Sequence, residues 1–75
     1  MITLTRSEPA KNMHRFYALY LTPNPNLFGE WVLVVEWGRI GSPGTVRHQP
    51  FPTVDLAQAA LVKRLQVKTR RGYHV

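Results

Sequence analysis

The side chains best suited to chemistry fall in two clusters. The first is Trp37-Gly38-Arg39, closing the strand-forming run Trp31-Val32-Leu33-Val34-Val35-Glu36. Successive side chains of an extended strand point to opposite faces, so Trp37 and Arg39 share one face and Gly38 adds no side chain to the other. The pair offers a flat π surface beside a planar, permanently charged guanidinium, which grips an anion with two hydrogen bonds. A plainer arrangement uses the same residues: a core Trp at a strand end, an Arg lying over it, and a hairpin. The second cluster is Lys63, Arg64, Lys68, Arg70 and Arg71, half of the ten basic residues within nine positions. A cationic last helical turn also complements the helix dipole without any function.

The other titratable groups argue against an enzyme. His14, His48 and His74 and the carboxylates Glu8, Glu30, Glu36 and Asp55 show no metal-ligand spacing and no paired carboxylates. With no Cys there is no thiol nucleophile, thiolate metal site or disulfide. Gly38, Gly41 and Gly44 lack the Lys-Ser/Thr and following helix of a phosphate loop. No catalytic residue, cofactor or metal is expected.

Seventy-five residues make one domain, small enough to bury only about 60–65% of the surface its unfolded chain exposes. The apolar 44% of the chain, with two Trp, three Tyr and three Phe, must hold the fold together. Ten Lys and Arg against four acids give a net charge of +6, which favours nucleic acid, phosphate groups or an acidic protein surface as partner. The N-terminus has no long apolar segment of the signal-peptide kind. No apolar run nears the roughly 20 residues that span a bilayer. A cytoplasmic location and no membrane partner are expected.

Four strands and a helix must position the two clusters. Residues 2–6 alternate apolar and polar and read as a short edge strand, ended by Pro9. Residues 14–22 form a better strand, with Phe16, Ala18 and Tyr20 on one face and Arg15, Tyr17, Leu19 and Leu21 on the other. Pro23-Asn24-Pro25-Asn26 makes a loop, and Leu27-Phe28-Gly29 lead out of it. The strand at 30–40 is apolar on both faces until Glu36, as suits a central strand. Residues 45–51 return as its hairpin partner. Thr53 is the N-cap of a helix running from Leu56 to about Thr69, with Asp55 in its first turn. Leu56, Ala57, Ala60, Leu61 and Leu65 gather on one side; Val62 falls outside that stripe, and Arg64 falls inside it and must snorkel. Gly72 stops the helix and leaves Tyr73-His74-Val75 as a tail. The expected fold is α+β: a small antiparallel sheet of about four strands, with the C-terminal helix on one face as its second layer.

Three blocks in this order resemble the WGR domain family. They are Asn12 with Phe16-Tyr17, then Trp37-Gly38-Arg39-Ile40-Gly41 with Gly44, then Lys68-Thr69-Arg70-Arg71-Gly72-Tyr73. The resemblance covers about residues 10–73, within one WGR-like domain at 1–75. It implies an antiparallel sheet with one packed helix. Well-understood members lie inside DNA-damage-dependent poly(ADP-ribose) polymerases, where the domain binds at a DNA break and relays damage to a catalytic domain. By that resemblance, Trp37 packs on a sugar or terminal base, and Arg39 binds backbone phosphate or a neighbouring domain. Tyr73, with Lys68 nearby, sits close to the terminal phosphate, and Asn12, or His14 in its place, adds a polar contact. The 75 residues hold neither a polymerase domain nor a zinc finger, so a stand-alone chain that resembles small bacterial proteins is expected.

The combined expectation is a non-catalytic module that binds nucleic acid, DNA rather than RNA, at ends or nicks through 5′-phosphate and backbone contacts. Its candidate residues are Trp37, Arg39, Lys68, Arg70, Arg71, Tyr73 and Asn12. No helix presents the Asn, Gln and Arg face of sequence-specific readout; Gln58 and Gln66 stand eight residues apart. The alternative is a protein–protein module that docks an acidic partner or adjacent domain through the Trp-Gly-Arg face, since Trp, Tyr and Arg also dominate interface hot spots. The chain is expected as a monomer or as a weak homodimer paired through its short edge strand.

Overall fold

A computed structural model describes residues 1–26 and 29–75; the lead-out expected at Leu27 and Phe28 lies outside these described residues. Four strands run in the order β1 (Ile2–Glu8), β2 (Met13–Pro23), β3 (Trp31–Arg39) and β4 (Thr45–Phe51), followed by the helix α1 (Val54–Arg70). Each strand pairs antiparallel with the next, giving a four-stranded meander in the order β1-β2-β3-β4. The fold is α+β, as the alternation and the late helical stretch imply.

The register builds the two faces. Leu4 stands opposite Tyr17, Tyr17 opposite Trp37, and Leu19 opposite Val35. These side chains face α1, where Leu4, Tyr17, Leu19, Leu33, Val35 and Tyr73 form the buried cluster, with Ala60, Leu61 and Leu65 of the helix packed on it. Ala18 and Val34, of opposite parity, are also buried. β2 and β3 are therefore the central strands, flanked on both sides in the plane of the sheet.

Several boundaries differ from the sequence expectation for local reasons. β1 runs to Glu8 rather than residue 6, because Ser7 and Glu8 continue to pair with His14 and Met13. Pro9–Lys11 then forms a short 3-10 turn, closed by Asn12 in the left-handed conformation with φ 50°. Asn24 accepts the amide of Asn26 on its side chain at 3.0 Å, and its own amide donates to the Glu30 carbonyl at 2.9 Å. That short-range bonding turns the Pro/Asn loop. Thr53 caps the helix as expected, its Oγ1 accepting the Leu56 amide at 3.2 Å. Leu56 is 52% exposed and not part of the inward stripe.

The C-terminal residues are no free tail. The Thr5 amide donates to the His74 carbonyl at 2.9 Å, and the His74 amide returns a bond to the Thr5 carbonyl at 3.0 Å. Gly72, at φ +94°, turns the chain back so that this pair can form. Tyr73 is thereby driven into the core, at 7% exposure. β1, an edge strand by order, is thus covered at Thr5 by the chain end.

Candidate nucleic-acid interface

The end of the helix-covered face carries the candidate site. Toward that end of the face β1, β2 and β3 carry a row of arginines: Arg6 stands opposite Arg15, and Arg15 opposite Arg39. One residue pair inward lie Tyr17 and Trp37, also directly opposite each other. α1 crosses above and delivers Lys68, and the turn at Gly72 delivers Tyr73. Together Arg15, Tyr17, Trp37, Gly38, Arg39, Lys68 and Tyr73 line a cleft of about 550 Å³.

Gly38 makes this arrangement possible from behind. A Cβ on Gly38 would sit 2.8 Å from the Gly44 Cα and 3.4 Å from the Phe16 ring, which stands across from it on β2. Gly44, at φ +76°, lies so close that its own Cβ would meet the Trp37 carbonyl oxygen at 2.5 Å. The two glycines let the β3–β4 turn fold down onto the strand, while Phe16 covers the bare backbone. Ser42 Oγ donates to the Arg39 carbonyl at 2.7 Å and ties the turn to the strand end. Trp37 and Arg39 therefore project from a braced support.

The side chains are held in different ways. Arg39 donates through Nη1 to the Asn12 carbonyl at 3.0 Å and through Nη2 to Asn12 Oδ1 at 3.2 Å. Its guanidinium keeps further N–H groups for a ligand. Trp37 is 37% exposed, so its ring is part of the surface. The Lys68 ammonium sits 4.6 Å from the Tyr17 ring centre and 5.3 Å from that of Tyr73. The two tyrosine rings meet edge to face, 6.1 Å apart. Such contact with π faces is favourable for a cation.

The electrostatics are one-sided. Burial holds the Lys68 ammonium below the usual lysine range, and the charges of Arg71, Arg64 and Arg15 push it in the same direction. The cleft is lined by three cations, Arg15, Arg39 and Lys68, and, among the described residues, by no carboxylate. The nearest acid on β1, Glu8, is engaged by Arg6 and Lys11. Like charges placed opposite each other on a sheet, as Arg15 and Arg39 are, repel. An anion seated between them removes that cost.

Of the residues read from the sequence, Trp37, Arg39, Lys68 and Tyr73 come together in the cleft, and Asn12 meets them through Arg39. Arg70 and Arg71 are exposed at the helix end, outside the lining; Arg71 reaches the site through its charge on Lys68. Arg15 and Tyr17 were not among the candidates and belong there. The signal for them is parity: Arg15-Phe16-Tyr17 on β2 mirrors Trp37-Gly38-Arg39 on β3 once the two strands are paired. Among the described residues no group of three His, Cys, Asp or Glu is arranged to hold a metal, and no helix is long and apolar enough to cross a membrane.

A small meander sheet with one covering helix and a cation-lined, aromatic-walled cleft at its end defines the class: a small α+β domain. The chain belongs to the WGR domain family, whose model matches residues 1–75, the whole length. It is also similar to an uncharacterized protein, y4dW, of Sinorhizobium fredii, at 38% identity over 68 residues. That alignment takes in 91% of this chain and 32% of the relative, so the chain spans about a third of that protein's length. No solved structure matches it.

Proposed function

We infer that the protein is a non-catalytic nucleic-acid-binding module, which takes a DNA end or nick through its 5′-phosphate and adjoining backbone. The observation that carries this reading is the uncompensated cation set Arg15, Arg39 and Lys68, arranged around the exposed Trp37. Phosphate is the anion that suits such a set, because guanidinium groups bind it bidentately and an ammonium adds a point charge. Trp37 supplies a stacking platform that any base or sugar can use, without sequence preference. Membership of the WGR family, known in nucleic-acid-binding settings, supports the same reading. Arg70 and Arg71 extend the positive surface past the cleft.

Fluorescence anisotropy tests it with four probes at two salt concentrations: intact hairpin duplex, nicked duplex with 5′-phosphate, the same nick without it, and single strand. The phosphorylated nick is expected to bind tightest. Each neutralised duplex phosphate contributes a salt slope of about −0.9, so three or four contacts give roughly −3. Absence of binding to every probe at low salt overturns the reading. The Trp37 face would then be a docking surface for an acidic protein, a use to which its exposure is also suited.

A further inference from the structure

A second concavity lies beside the cleft, between α1 and strands β2 and β4. It is a groove of about 350 Å³ lined by Tyr17, Gln49, Ala60, Lys63, Arg64, Val67 and Lys68. Tyr17 and Lys68 line both spaces, so the two adjoin across a shared wall. Arg64 is aimed by two bonds, from Nη1 to the Tyr17 hydroxyl at 3.1 Å and from Nη2 to Gln49 Oε1 at 3.3 Å. Both acceptors are neutral. No Asp or Glu lines the groove among the described residues. Its charge is therefore as uncompensated as that of the cleft, and Arg64 already bears on Lys68 across the shared wall. The rest of the lining is apolar: Ala60 and the exposed Val67, with the Tyr17 ring buried beneath them at 3% exposure.

We propose that this groove holds one unpaired nucleotide, so that the module accepts a short 5′ flap in addition to a flush end. The proposal rests on the reading that the Trp37–Arg39 cleft holds the phosphate at a break. The nucleotide on the 5′ side of that phosphate passes Lys68, lays its base against Val67 and Ala60, and sets its own phosphate on Lys63 and Arg64. Lys63, Arg64 and Lys68 share this lining with Ala60 and Val67, so a strand there meets both positive charge for its backbone and apolar surface for its base, the two requirements of single-strand binding.

The test compares two probes: a 5′-phosphorylated nick, and the same nick whose phosphorylated strand carries one unpaired 5′ nucleotide. The flap probe is expected to bind about tenfold more tightly, with a salt slope steeper by about 0.7, the increment of one single-strand phosphate. Lys63→Ala and Val67→Ser, both at exposed helix positions, should erase that advantage and leave plain-nick affinity within about twofold, because neither residue lines the cleft. Equal or weaker binding of the flap, with the plain nick still bound, overturns this proposal alone. A fall of both probes by one factor in the two variants overturns it as well. If neither probe binds, the underlying reading and this proposal fall together. Capture of the groove by an acidic peptide in place of the flap also counts against it.

Discussion

Asn12 and Arg39 are joined at two points: the guanidinium donates both to the Asn12 carbonyl and to its side-chain oxygen, at 3.0 and 3.2 Å. The contact bridges the turn after β1 and the end of β3, 27 residues apart in sequence. Asn12 is able to present both oxygens because it occupies the left-handed conformation, which Asn tolerates better than most residues. The Asn therefore orients the Arg ahead of any ligand, and a pre-oriented side chain loses less entropy on binding.

Replacing Asn12 by Gly isolates that role, since Gly keeps the left-handed backbone and removes only the amide. Stability should change by no more than about 0.5 kcal/mol in a urea titration, as for an exposed site. Affinity for a phosphorylated nick should fall about two- to tenfold, the cost of ordering one long side chain on binding. Full affinity in Asn12→Gly would remove the orienting role from Asn12.

The glycines behind the site are structural, and their substitution should be felt in stability first. Gly44→Ala places a Cβ 2.5 Å from the Trp37 carbonyl oxygen at a φ of +76°. It combines about 1–2 kcal/mol of left-handed strain with an overpacking cost of about 1–3 kcal/mol. Gly38→Ala meets the Gly44 Cα at 2.8 Å without positive φ, so only the overpacking cost applies, roughly 1–3 kcal/mol. Denaturation midpoints should therefore rank wild type above Gly38→Ala and Gly38→Ala above Gly44→Ala.

Tyr73 anchors the chain end in the core and also lines the cleft. Tyr73→Ala should cost about 3–5 kcal/mol, as for other buried aromatic truncations, and is expected to unfold much of the protein. Tyr73→Phe keeps the ring against both Lys68 and Tyr17, so circular dichroism should be unchanged. If the hydroxyl contacts phosphate, this variant should bind the phosphorylated nick more weakly, by about two- to tenfold, the worth of one hydrogen bond. Equal affinity confines Tyr73 to packing.

Most of the architecture was legible in the sequence because strand parity and helix capping are local properties. The alternation at 14–22 put Arg15 and Tyr17 on one face, the cap at Thr53 started the helix, and Arg64 was recognisable as a cation among apolar positions. Its guanidinium does reach the sheet, bonding Tyr17 and Gln49. What escaped depends on non-local pairing. Nothing in Arg15 or Tyr17 alone says that they face Arg39 and Trp37, because a strand's pattern carries no register. Tyr73-His74-Val75 is too short to show a period, so its bridge to Thr5 was invisible. Hydrophobicity assigns Leu56 inward, whereas its neighbour Ala57 takes the buried position of the first turn and Leu56 stays exposed.

pH should separate Lys68 from the arginines. Its ammonium is held below the usual lysine range by burial and by Arg71, Arg64 and Arg15. The folded state thus favours the neutral amine, and this group's contribution to stability grows as pH rises through its folded value. Binding has the opposite sign: an anion needs the charged form, so affinity should fall with rising pH earlier than an ordinary lysine permits. Lys68→Arg, which stays charged throughout, should abolish that early fall. Glu8 titrates at the other end. Hydrogen bonds from Arg6 and then Lys11 lower its pKa, so its stabilising contribution is present above the ordinary carboxylate range and is lost as pH falls through the folded value.

The central claim is that the cleft recognises a phosphate at a break, and a thermodynamic cycle between Lys68 and that phosphate tests it most directly. Affinities are measured for wild type and Lys68→Gln, each against a nick with and without the 5′-phosphate. The account predicts that Lys68→Gln costs about tenfold or more on the phosphorylated nick, the loss of one charged hydrogen bond, and much less on the other. A loss by the same factor on both probes, with the variant folded, would contradict it, because Lys68 would then add only diffuse positive charge.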